Sequence, residues 1–440
     1  MICALRRGLL LTYTSIRRTR IAAGRPLDFR SSLRALGCGA GTPKLVRQGT
    51  HRSQPLDYTF RRVMRLASVM GITRVANVTG LDSVGIPVVM VCRPNSRSVA
   101  VSQGKGIDLA SARASGLMEA AELYHAESIS LPLRLGTYEE LRYQHKVVDV
   151  DELPRNSFSM FHPNLRLLWC EGFDVMSGET VLVPYEMVHA NYTTPFPDGH
   201  GCFVATSNGL ASGNDKIEAI SHGICEVVER DAATLWKLHN GGKLDEGWLD
   251  LMSVDDRICQ QLIAKLERAG LIVAVWDMTT DIPIAAFVCL ILPRDDHATW
   301  HCSVSIGYGC HPSREIALAR ALTEAAQCRL TVISGARDDL ARESYKQRQD
   351  FDVIRAFRKE TSTLTPTRTF SKAPTWEGKT VADDVAWELK CIRKAGVNRV
   401  IVVDLTKSHF GLSVVRVIIP GLEPILGPNY VPGRRALRTR

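Results

Sequence analysis

The sequence has no closely spaced cysteine pair and no long apolar run. Its 440 residues include twelve cysteines, which are spread along the chain without a CxxC motif and without histidines at metal-binding spacing. A structural zinc site or a disulfide framework needs clustered ligands or paired cysteines, so both are excluded as organising features. No apolar stretch approaches the roughly 18 residues that a transmembrane helix requires. We therefore expect a soluble protein with free thiols, located in the reducing cytoplasm.

Familiar short motifs of nucleotide and hydrolase sites are also missing. The sequence contains no Walker GxxxxGK[ST] loop, no GxSxG elbow, no HExxH zinc motif and no dinucleotide fingerprint. The segment SQGKG at residues 102–106 comes nearest to a phosphate loop, but Lys105 is followed by glycine instead of Ser or Thr. We interpret this segment as a tight turn between a strand and a helix.

Positive charge is concentrated at one end of the chain. The formal net charge is +9, and residues 1–52 alone carry ten Arg and one Lys against a single acid, so the rest of the chain sums to −1. Basic residues interleaved with aromatics, as in nucleic-acid binding proteins, are absent, and we expect neither nucleic acid nor a membrane as a partner. The Arg-rich, acid-free residues 1–20 resemble an organellar transit peptide. A disordered extension or an upstream start codon explains the same composition and is the preferred interpretation.

Patterns typical of strands and helices alternate along the remaining chain. Helical periodicity begins near Tyr58, and three long helices are predicted at about 109–129, 215–237 and 314–330. Apolar runs typical of buried strands lie at 86–92, 271–277, 282–292 and 300–309.

The ends of the chain and one internal segment are predicted to differ from this pattern. Two strands at 399–406 and 412–420 are separated by a short turn and predict a hairpin. Residues 1–45 are interpreted as loop. Segment 331–385 is polar, and its Thr-rich portion at 361–370 is interpreted as a loop or lid. The fold class is therefore α+β with mixed or antiparallel sheets. We predict a basic extension over residues 1–48, one large domain over 49–425, and a basic tail over 426–440.

Acidic residues line up on one face of each of the first two long helices. Offsets of 4, 7, 8 and 11 residues fall on a single face of an α-helix. The aligned side chains are Ser115, Glu119 and Glu122 on the first helix and Glu218, His222, Glu226 and Glu229 on the second.

Such rows of like charge need a compensating cation when they lie in a cleft. Two carboxylates one turn apart repel by roughly 0.2–0.5 kcal/mol on an isolated helix, and the repulsion grows steeply in a low-dielectric site. Oxygen ligands favour Mg²⁺ or Ca²⁺ over zinc, and Mg²⁺ usually completes its coordination with water and substrate phosphates. The pattern therefore predicts a nucleotide site, with Arg230, Gln327 and Arg329 as candidates for phosphate contacts. The alternative is a pair of solvated acidic faces with surface arginines. The duplicated row without Lys or Arg on the same face favours the metal site.

Several long segments resemble the YcaO family in order along the chain. They include GITRVANVTGLDSVGIPV, ATSNGLASGN, SIGYGCHPSREIALARALTEAAQCRL and VVRVIIPGLE, and the resemblance runs from about Gly49 to Glu423. It implies a YcaO-type fold in which acidic helices bind Mg²⁺ and ATP without a Walker loop, and it makes the large domain the catalytic domain. The implied activity is ATP-dependent modification of backbone amides in ribosomally made peptides or proteins, which gives azolines, amidines or thioamides.

The resemblance also implies which residues contact the nucleotide. Two departures weaken individual contacts, because Leu123 replaces a usual arginine and Ala211 replaces a serine of some relatives. No catalytic residue is assigned beyond the ATP and Mg²⁺ site. The five matching glutamates, Glu119, Glu122, Glu218, Glu226 and Glu229, are the implied Mg²⁺ ligands. The full set of implied nucleotide-binding residues is Arg52, Thr59, Ser115, Glu119, Glu122, Asn214, Glu218, Glu226, Glu229, Arg230 and Arg329.

The product of the reaction is less defined than the activation step. The resemblance implies that a nucleophile adds to the amide carbonyl and that the amide oxygen leaves as phosphate. A neighbouring Cys, Ser or Thr side chain gives an azoline, whereas external sulfide gives a thioamide. The chain lacks the PxPxP tail common in azoline-forming relatives, and its GTHR, GITRVANVTGLD and PGLE segments resemble the subgroup that forms thioamides with a TfuA-like partner. We expect thioamide formation on a peptide or protein substrate, a TfuA-like partner and a homodimer.

Three alternatives remain at this point. The first is azoline cyclodehydration, and the second is an accessory role in sulfur modification of a ribosomal protein. The third is a non-catalytic subunit that docks a peptide for another enzyme. Five aligned acids favour an enzyme, because a docking subunit has no need of them.

Overall fold

The structure is a computed structural model that describes residues 29–39, 41–197, 199–239, 246–294, 304–340, 342–348, 351–427 and 429–438. Its helices are α1 Phe29–Ala35, α2 Leu56–Met64, α3 Leu109–Glu127, α4 Tyr138–Leu141, α5 Lys216–His239, α6 Arg257–Arg268, α7 Arg314–Ser334, α8 Arg342–Arg348, α9 Phe351–Thr363 and α10 Val381–Lys394. Its strands are β1 Arg74–Asn77, β2 Val88–Cys92, β3 Val101–Lys105, β4 Leu133–Thr137, β5 Arg166–Asp174, β6 Glu179–Pro184, β7 Leu210–Gly213, β8 Leu249–Asp250, β9 Leu271–Asp277, β10 Ala285–Pro293, β11 Ser305–His311, β12 Arg368–Thr369, β13 Ile401–Asp404 and β14 Ser413–Ile418.

Antiparallel sheets form the framework. One sheet has the order β1-β2-β3, a second has the order β11-β10-β9, and the largest has the order β4-β5-β13-β14-β7 with β6 paired to β5. Only the short β8–β12 pair is parallel among the described strands. The predicted α+β class and the hairpin near the end are confirmed, since β13 pairs with β14 in a register that sets Ile401 opposite Ile418.

Each of the three long helices packs between two sheets. Helix α3 lies on β2 and β3 and also contacts β7. Helix α5 lies on β7 and β14 and also contacts β11. Helix α7 lies on β10 and β11 and also contacts β3. The contacts therefore form a closed ring of three sheets and three helices. Side chains on the inner faces of the three helices converge at the centre of this ring.

Glycines allow the helices to lie unusually close to the strands. A Cβ atom on Gly104 would lie 2.0 Å from the Ala112 carbonyl oxygen of α3, and one on Gly307 would lie 2.2 Å from the Ala325 nitrogen of α7. Any larger residue would push the helix off its sheet. The segment interpreted as a tight turn is therefore the end of strand β3, and its first glycine is required for helix packing.

Helix α1 contradicts the loop predicted over residues 1–45, and helix α9 extends three residues into the loop predicted over 361–370. Helix α1 lies within residues 1–45, and it buries Phe29 and Leu33 in the main core next to α10. Helices α8 and α9 lie within residues 331–385, and Ile354 of α9 is buried. The polar composition of α9 hides its narrow apolar stripe, which includes Ile354 and Phe357. Residues 1–28, with the suggested transit peptide, lie outside the described residues, and the predicted domain boundaries stay predictions.

Two features of the described residues agree with the cysteine and hydropathy patterns. No disulfide bond joins two cysteines within the described part of the chain. Within the same residues, no helix combines the length and the hydrophobicity needed to cross a bilayer.

Candidate active site

Helix α3 supplies two carboxylates to the centre of the ring. Its N-terminus is capped by Asp108, whose Oδ1 accepts a hydrogen bond from the Ser111 N–H at 2.7 Å. Further along, Glu119 Oε2 accepts from the Gln103 N–H of β3 at 3.3 Å. Glu122 Oε1 accepts from both the N–H and the hydroxyl of Ser212 in β7, at 2.9 and 2.7 Å. These bonds fix both carboxylates on the inner face of the helix.

Helix α5 supplies a second acidic pair and a buried arginine. Glu229 is only 3% exposed, and its Oε1 lies 3.7 Å from Nη1 of Arg230. The Arg230 guanidinium also lies 6.0 Å from the centre of the Tyr308 ring on β11. Glu226 is half-buried one turn earlier on the same face. The helix therefore carries two acids against one neighbouring cation.

Helix α7 adds a carboxylate that the sequence analysis missed. Glu324 forms an ion pair with Lys105 at the end of β3 and accepts a hydrogen bond from the Tyr308 N–H at 3.2 Å. The sequence predicts no role for Lys105, because its segment is interpreted as a tight turn and not as a phosphate loop. One signal was available in the sequence, because the third long helix carries an acid at its centre as the first two do.

Burial makes these carboxylates reluctant to ionise. It raises the pKa of Glu119 to about 7 and the pKa of Glu122 to about 8, and the charge of Glu226 raises both further. Burial also raises the pKa of Glu226 and Glu229, and Arg230 opposes the effect in both cases. Burial acts in the same direction on Glu324, but Lys105 and Arg230 outweigh it and lower its pKa. At four of these five acids, burial therefore outweighs the groups that oppose it.

Buried carboxylates whose pKa values are raised fit Mg²⁺ bound together with a nucleotide. No three His, Cys, Asp or Glu side chains of the described residues form a ready-made metal cage. Mg²⁺ uses few protein ligands and takes the others from water and phosphate oxygens, so separated carboxylates suit it. Lys105 and Arg230 supply positive charge beside them for phosphate oxygens.

The predicted ligand Glu218 belongs to a different group of contacts. Its Oε2 accepts hydrogen bonds from the N–H and the hydroxyl of Ser53 at 2.9 and 2.6 Å, and its Oε1 lies 3.5 Å from Nη1 of Arg52. Asn214 Nδ2 also donates to Glu218 at 3.5 Å, and the Thr59 hydroxyl donates to Asn214 Oδ1 at 2.9 Å. The structure thus brings together four of the predicted residues. The Glu218 carboxylate, however, already accepts hydrogen bonds from protein groups. The four residues are Arg52, Thr59, Asn214 and Glu218.

The remaining predicted residues lie on the edges of the cluster. Ser115 is half-buried one turn before Glu119. Arg329 lies five residues beyond Glu324 on α7, and its Nε donates to Asp82 Oδ2 at 3.1 Å. Its role as a phosphate contact stays a prediction.

A second arginine of α7 faces the acids more directly. The Nη2 atom of Arg320 lies 3.4 Å from His222 Nε2, between the α5 and α7 faces. Its Nε is buried without a hydrogen-bond partner in the described part of the chain. The charge of Arg320 lowers the pKa of both Glu226 and Glu229. Sequence reasoning missed this residue because nothing in its local pattern marks it.

Fold and site together define a protein that binds a nucleotide and Mg²⁺ through acidic helices. The chain belongs to the YcaO family, since the family model described as YcaO cyclodehydratase, ATP- and Mg²⁺-binding, matches residues 103–423. The family resemblance and the expectation of ATP and Mg²⁺ are confirmed.

Relatives of known sequence come from bacteria and archaea. An uncharacterized protein in the tfuA 3′ region of Rhizobium leguminosarum bv. trifolii is 36% identical over 389 residues, which cover 87% of this chain and 91% of the relative. An uncharacterized protein of Methanothermobacter thermautotrophicus is 35% identical over 379 residues, covering 84% of this chain and 94% of the relative.

Solved structures confirm the YcaO-type fold. A heterocyclase in complex with substrate and cofactor superimposes with a TM-score of 0.72 at 22% identity, covering 87% of this chain and 54% of that chain. This chain thus spans about half of the heterocyclase's length. YcaO from Methanopyrus kandleri, bound with AMPPCP and Mg²⁺, superimposes with a TM-score of 0.66 at 22% identity, covering 87% of this chain and 95% of that chain.

Proposed function

We propose that this protein activates a backbone amide of a peptide or protein by ATP- and Mg²⁺-dependent phosphorylation of the amide oxygen, and that the product is a thioamide. The proposal extends the family's ATP and Mg²⁺ binding to a specific reaction. It also places the protein in the cytoplasm, where free thiols persist.

One observation carries the proposal: acids from three separate helices converge, with Lys105, Arg230 and Arg320 beside them. Glu119 and Glu122 of α3 and Glu226 and Glu229 of α5 interact electrostatically, and Glu324 of α7 joins them. Such an arrangement is costly in the free protein because the buried carboxylates repel one another. Divalent ions that bridge to phosphates remove this cost.

The residues of the site have distinct roles in this proposal. Glu119, Glu122, Glu226 and Glu229 hold Mg²⁺, while Lys105 and Arg230 face the phosphate oxygens. Arg52, Thr59, Ser115, Asn214, Glu218 and Arg329 complete the proposed nucleotide site. When bound, MgATP supplies the phosphoryl group that converts the amide oxygen into a leaving group. The protein contributes positioning and charge neutralisation.

The preference for a thioamide rests on the relative from the tfuA 3′ region. Its genetic setting supports a TfuA-like partner for this chain as well, and we expect the enzyme to act as a homodimer. Azoline formation is the second candidate, because one structural neighbour is a heterocyclase bound to substrate.

A non-catalytic docking subunit is a weaker alternative. A surface that only binds peptide gains nothing from buried carboxylates whose pKa values are raised to about 7 and 8. An accessory role in ribosomal-protein sulfur modification would still use the same site.

Mass spectrometry separates the candidate products. Peptides from cells with and without the protein should differ by about +16 Da for exchange of oxygen by sulfur, or by about −18 Da for dehydration to an azoline. The matched control is the Glu119→Gln variant, which should leave the peptides unmodified. Modified peptides of equal abundance in cells that lack the protein would contradict the proposal.

A further inference from the structure

A cavity lined by Arg416 and Asn208 lies near the acidic cluster and is not used by the proposed nucleotide site. We call it the Arg416 cavity. Its walls come from strand β14 with Arg416, from the segment before β7 with Asn208, from Val227 of α5 and from Pro424. Val227 directly follows Glu226 along α5, so this wall adjoins the acids.

Arg416 carries an unused hydrogen-bond donor in this cavity. Its side chain is buried, its Nε donates to the Met187 carbonyl at 2.8 Å, and its Nη2 donates to the Thr206 carbonyl. Nη1 is also buried but has no partner in the described part of the protein. A buried N–H group left unpaired costs roughly 1–3 kcal/mol, so a ligand that accepts from it would be favoured.

Asn208 provides an unused acceptor in the same cavity. Its Oδ1 is buried without a hydrogen-bond partner among the described residues, while its backbone N–H donates to the Thr206 hydroxyl at 3.2 Å. Much of the remaining wall is apolar and includes Leu153, Val227 and Leu422. The cavity therefore offers one donor, one acceptor and apolar surface.

This combination matches a peptide amide better than an anion. A secondary amide presents one C=O acceptor and one N–H donor, flanked by carbon. A carboxylate or phosphate would pair with Arg416 but would face the Asn208 oxygen and the nearby charge of Glu226, which interacts electrostatically with Arg416. Both neighbours repel negative charge.

We propose that the Arg416 cavity binds a backbone amide of the substrate peptide, with Arg416 Nη1 donating to its carbonyl oxygen and Asn208 Oδ1 accepting from its N–H. This inference rests on the proposed function and names the place where the peptide is held next to the nucleotide. Leu422 of the PGLE segment and Pro424, directly after that segment, also line the cavity.

The test uses the full chain and N-methyltrifluoroacetamide, a minimal secondary amide that ¹⁹F NMR detects. We expect Asn208→Ala to weaken its binding about tenfold, the effect of one buried hydrogen bond, and Asn208→Leu to abolish it by filling the cavity. Asn398→Ala is the matched control, since Asn398 is exposed and bonds only to the Gly396 carbonyl among the partners described. Arg416→Lys should also weaken binding, but it removes partners of two buried carbonyls and can unfold the protein. The Asn208 variants therefore decide the result.

Two further measurements separate this inference from the proposed function. Binding of AMPPCP with Mg²⁺ should be unchanged in both Asn208 variants. Equal amide binding by wild type and Asn208→Leu, no amide binding by wild type, or tighter binding of trifluoroacetate than of the amide would overturn the peptide site. None of these results affects the nucleotide site. Failure of the wild-type protein to bind AMPPCP with Mg²⁺ would instead overturn the proposed function.

Discussion

Arg435 places its guanidinium against the buried carboxylate of Asp231, with Nη2 2.9 Å from Oδ2. The side chains are 7% and 0% exposed, and the same guanidinium also bonds to Asp281 at 2.6 Å. Asp231 directly follows Arg230 on α5, so the tail is tied to the helix that carries the acidic cluster. Glu423 secures the tail further by accepting hydrogen bonds from Tyr430, Gly433 and Ala436.

Breaking this contact should destabilise the fold strongly. Arg435→Met leaves Asp231 buried without its cation, and we expect the free energy of unfolding to fall by about 3–5 kcal/mol. Arg434→Met is the matched control, because Arg434 is 71% exposed and 4.0 Å from Glu152, and its loss should cost no more than about 0.5 kcal/mol. Urea denaturation of both variants measures the difference, and equal midpoints would show that the tail contact contributes nothing.

Removing one acid of the cluster should stop catalysis without harming the fold. Glu119→Gln keeps the acceptor for the Gln103 N–H but loses the charge that binds Mg²⁺, so we expect Mg²⁺-dependent ATP hydrolysis to fall at least about a hundredfold. Glu229→Gln should abolish hydrolysis as well. Thermal stability without ligand should not decrease, because repulsion is relieved. Glu171→Gln, on an exposed strand position, is the control. Wild-type turnover in both cluster variants would end the metal-site interpretation.

Metal binding should strengthen as the pH rises. In the free folded protein, burial raises the pKa of Glu119 to about 7 and that of Glu122 to about 8. Both values lie above 4.5, the ordinary pKa of a glutamate side chain. The folded state therefore holds protons that the unfolded chain releases, and ligand-free stability from these groups falls as the pH rises from about 4.5 to 8. Mg²⁺ must displace those protons, so the affinity for Mg²⁺ with AMPPCP should increase over about pH 6 to 8.5.

Calorimetry in two buffers of different ionisation enthalpy tests this expectation. Proton release on binding should be larger at pH 6, where both groups are protonated, than at pH 8.5, and it should be smaller in Glu122→Gln. A pH-independent affinity over this range would contradict it.

Lys105 should matter through the nucleotide as well as through Glu324. Lys105→Met removes a cation from the phosphate side and the ion-pair partner of Glu324, so we expect AMPPCP affinity to fall about tenfold or more. Restoring neutrality with Lys105→Met and Glu324→Gln together should recover stability but not affinity. Lys146→Met, which breaks the exposed pair with Glu179, is the control and should leave affinity unchanged. Full recovery of affinity in the double variant would assign Lys105 a purely structural role.

Truncation should distinguish two parts of the basic N-terminal region. Deleting residues 1–28 is expected to leave ATP hydrolysis intact, because the described core begins after them. Deleting residues 1–45 also removes Phe29 and Leu33 from the core and strips Asp384 of Lys44, its partner at 2.6 Å. We expect this longer deletion to lower the melting temperature sharply. Equal melting temperatures for the two truncated proteins would show that α1 contributes little.

The sequence was informative where a single helix carries the signal. Glu119 and Glu122, like Glu226 and Glu229, share a face by helical periodicity alone, and their convergence follows once both helices face the same centre. Residues that depend on tertiary pairing could not be found in this way. Glu324 gains its meaning only beside Lys105, which is 219 residues away along the chain.

The same limit applies to Glu218, whose role as an Mg²⁺ ligand stays a prediction, and to the helix missed within residues 1–45. Periodicity placed Glu218 in line with Glu226, but it gave no hint that Ser53 and Arg52 would fold back onto that carboxylate. Helix α1 was not predicted because only two of its seven residues, Phe29 and Leu33, are buried, which is too few to give a helical pattern of apolar residues.

The ring of alternating sheets and helices has a consequence for how the protein responds to its ligand. Because α3, α5 and α7 each contact two different sheets, a nucleotide bound at the proposed site between these helices would link all three sheets. Opening any one sheet would release it, so a bound nucleotide should slow hydrogen exchange across all three sheets together rather than only near the acids.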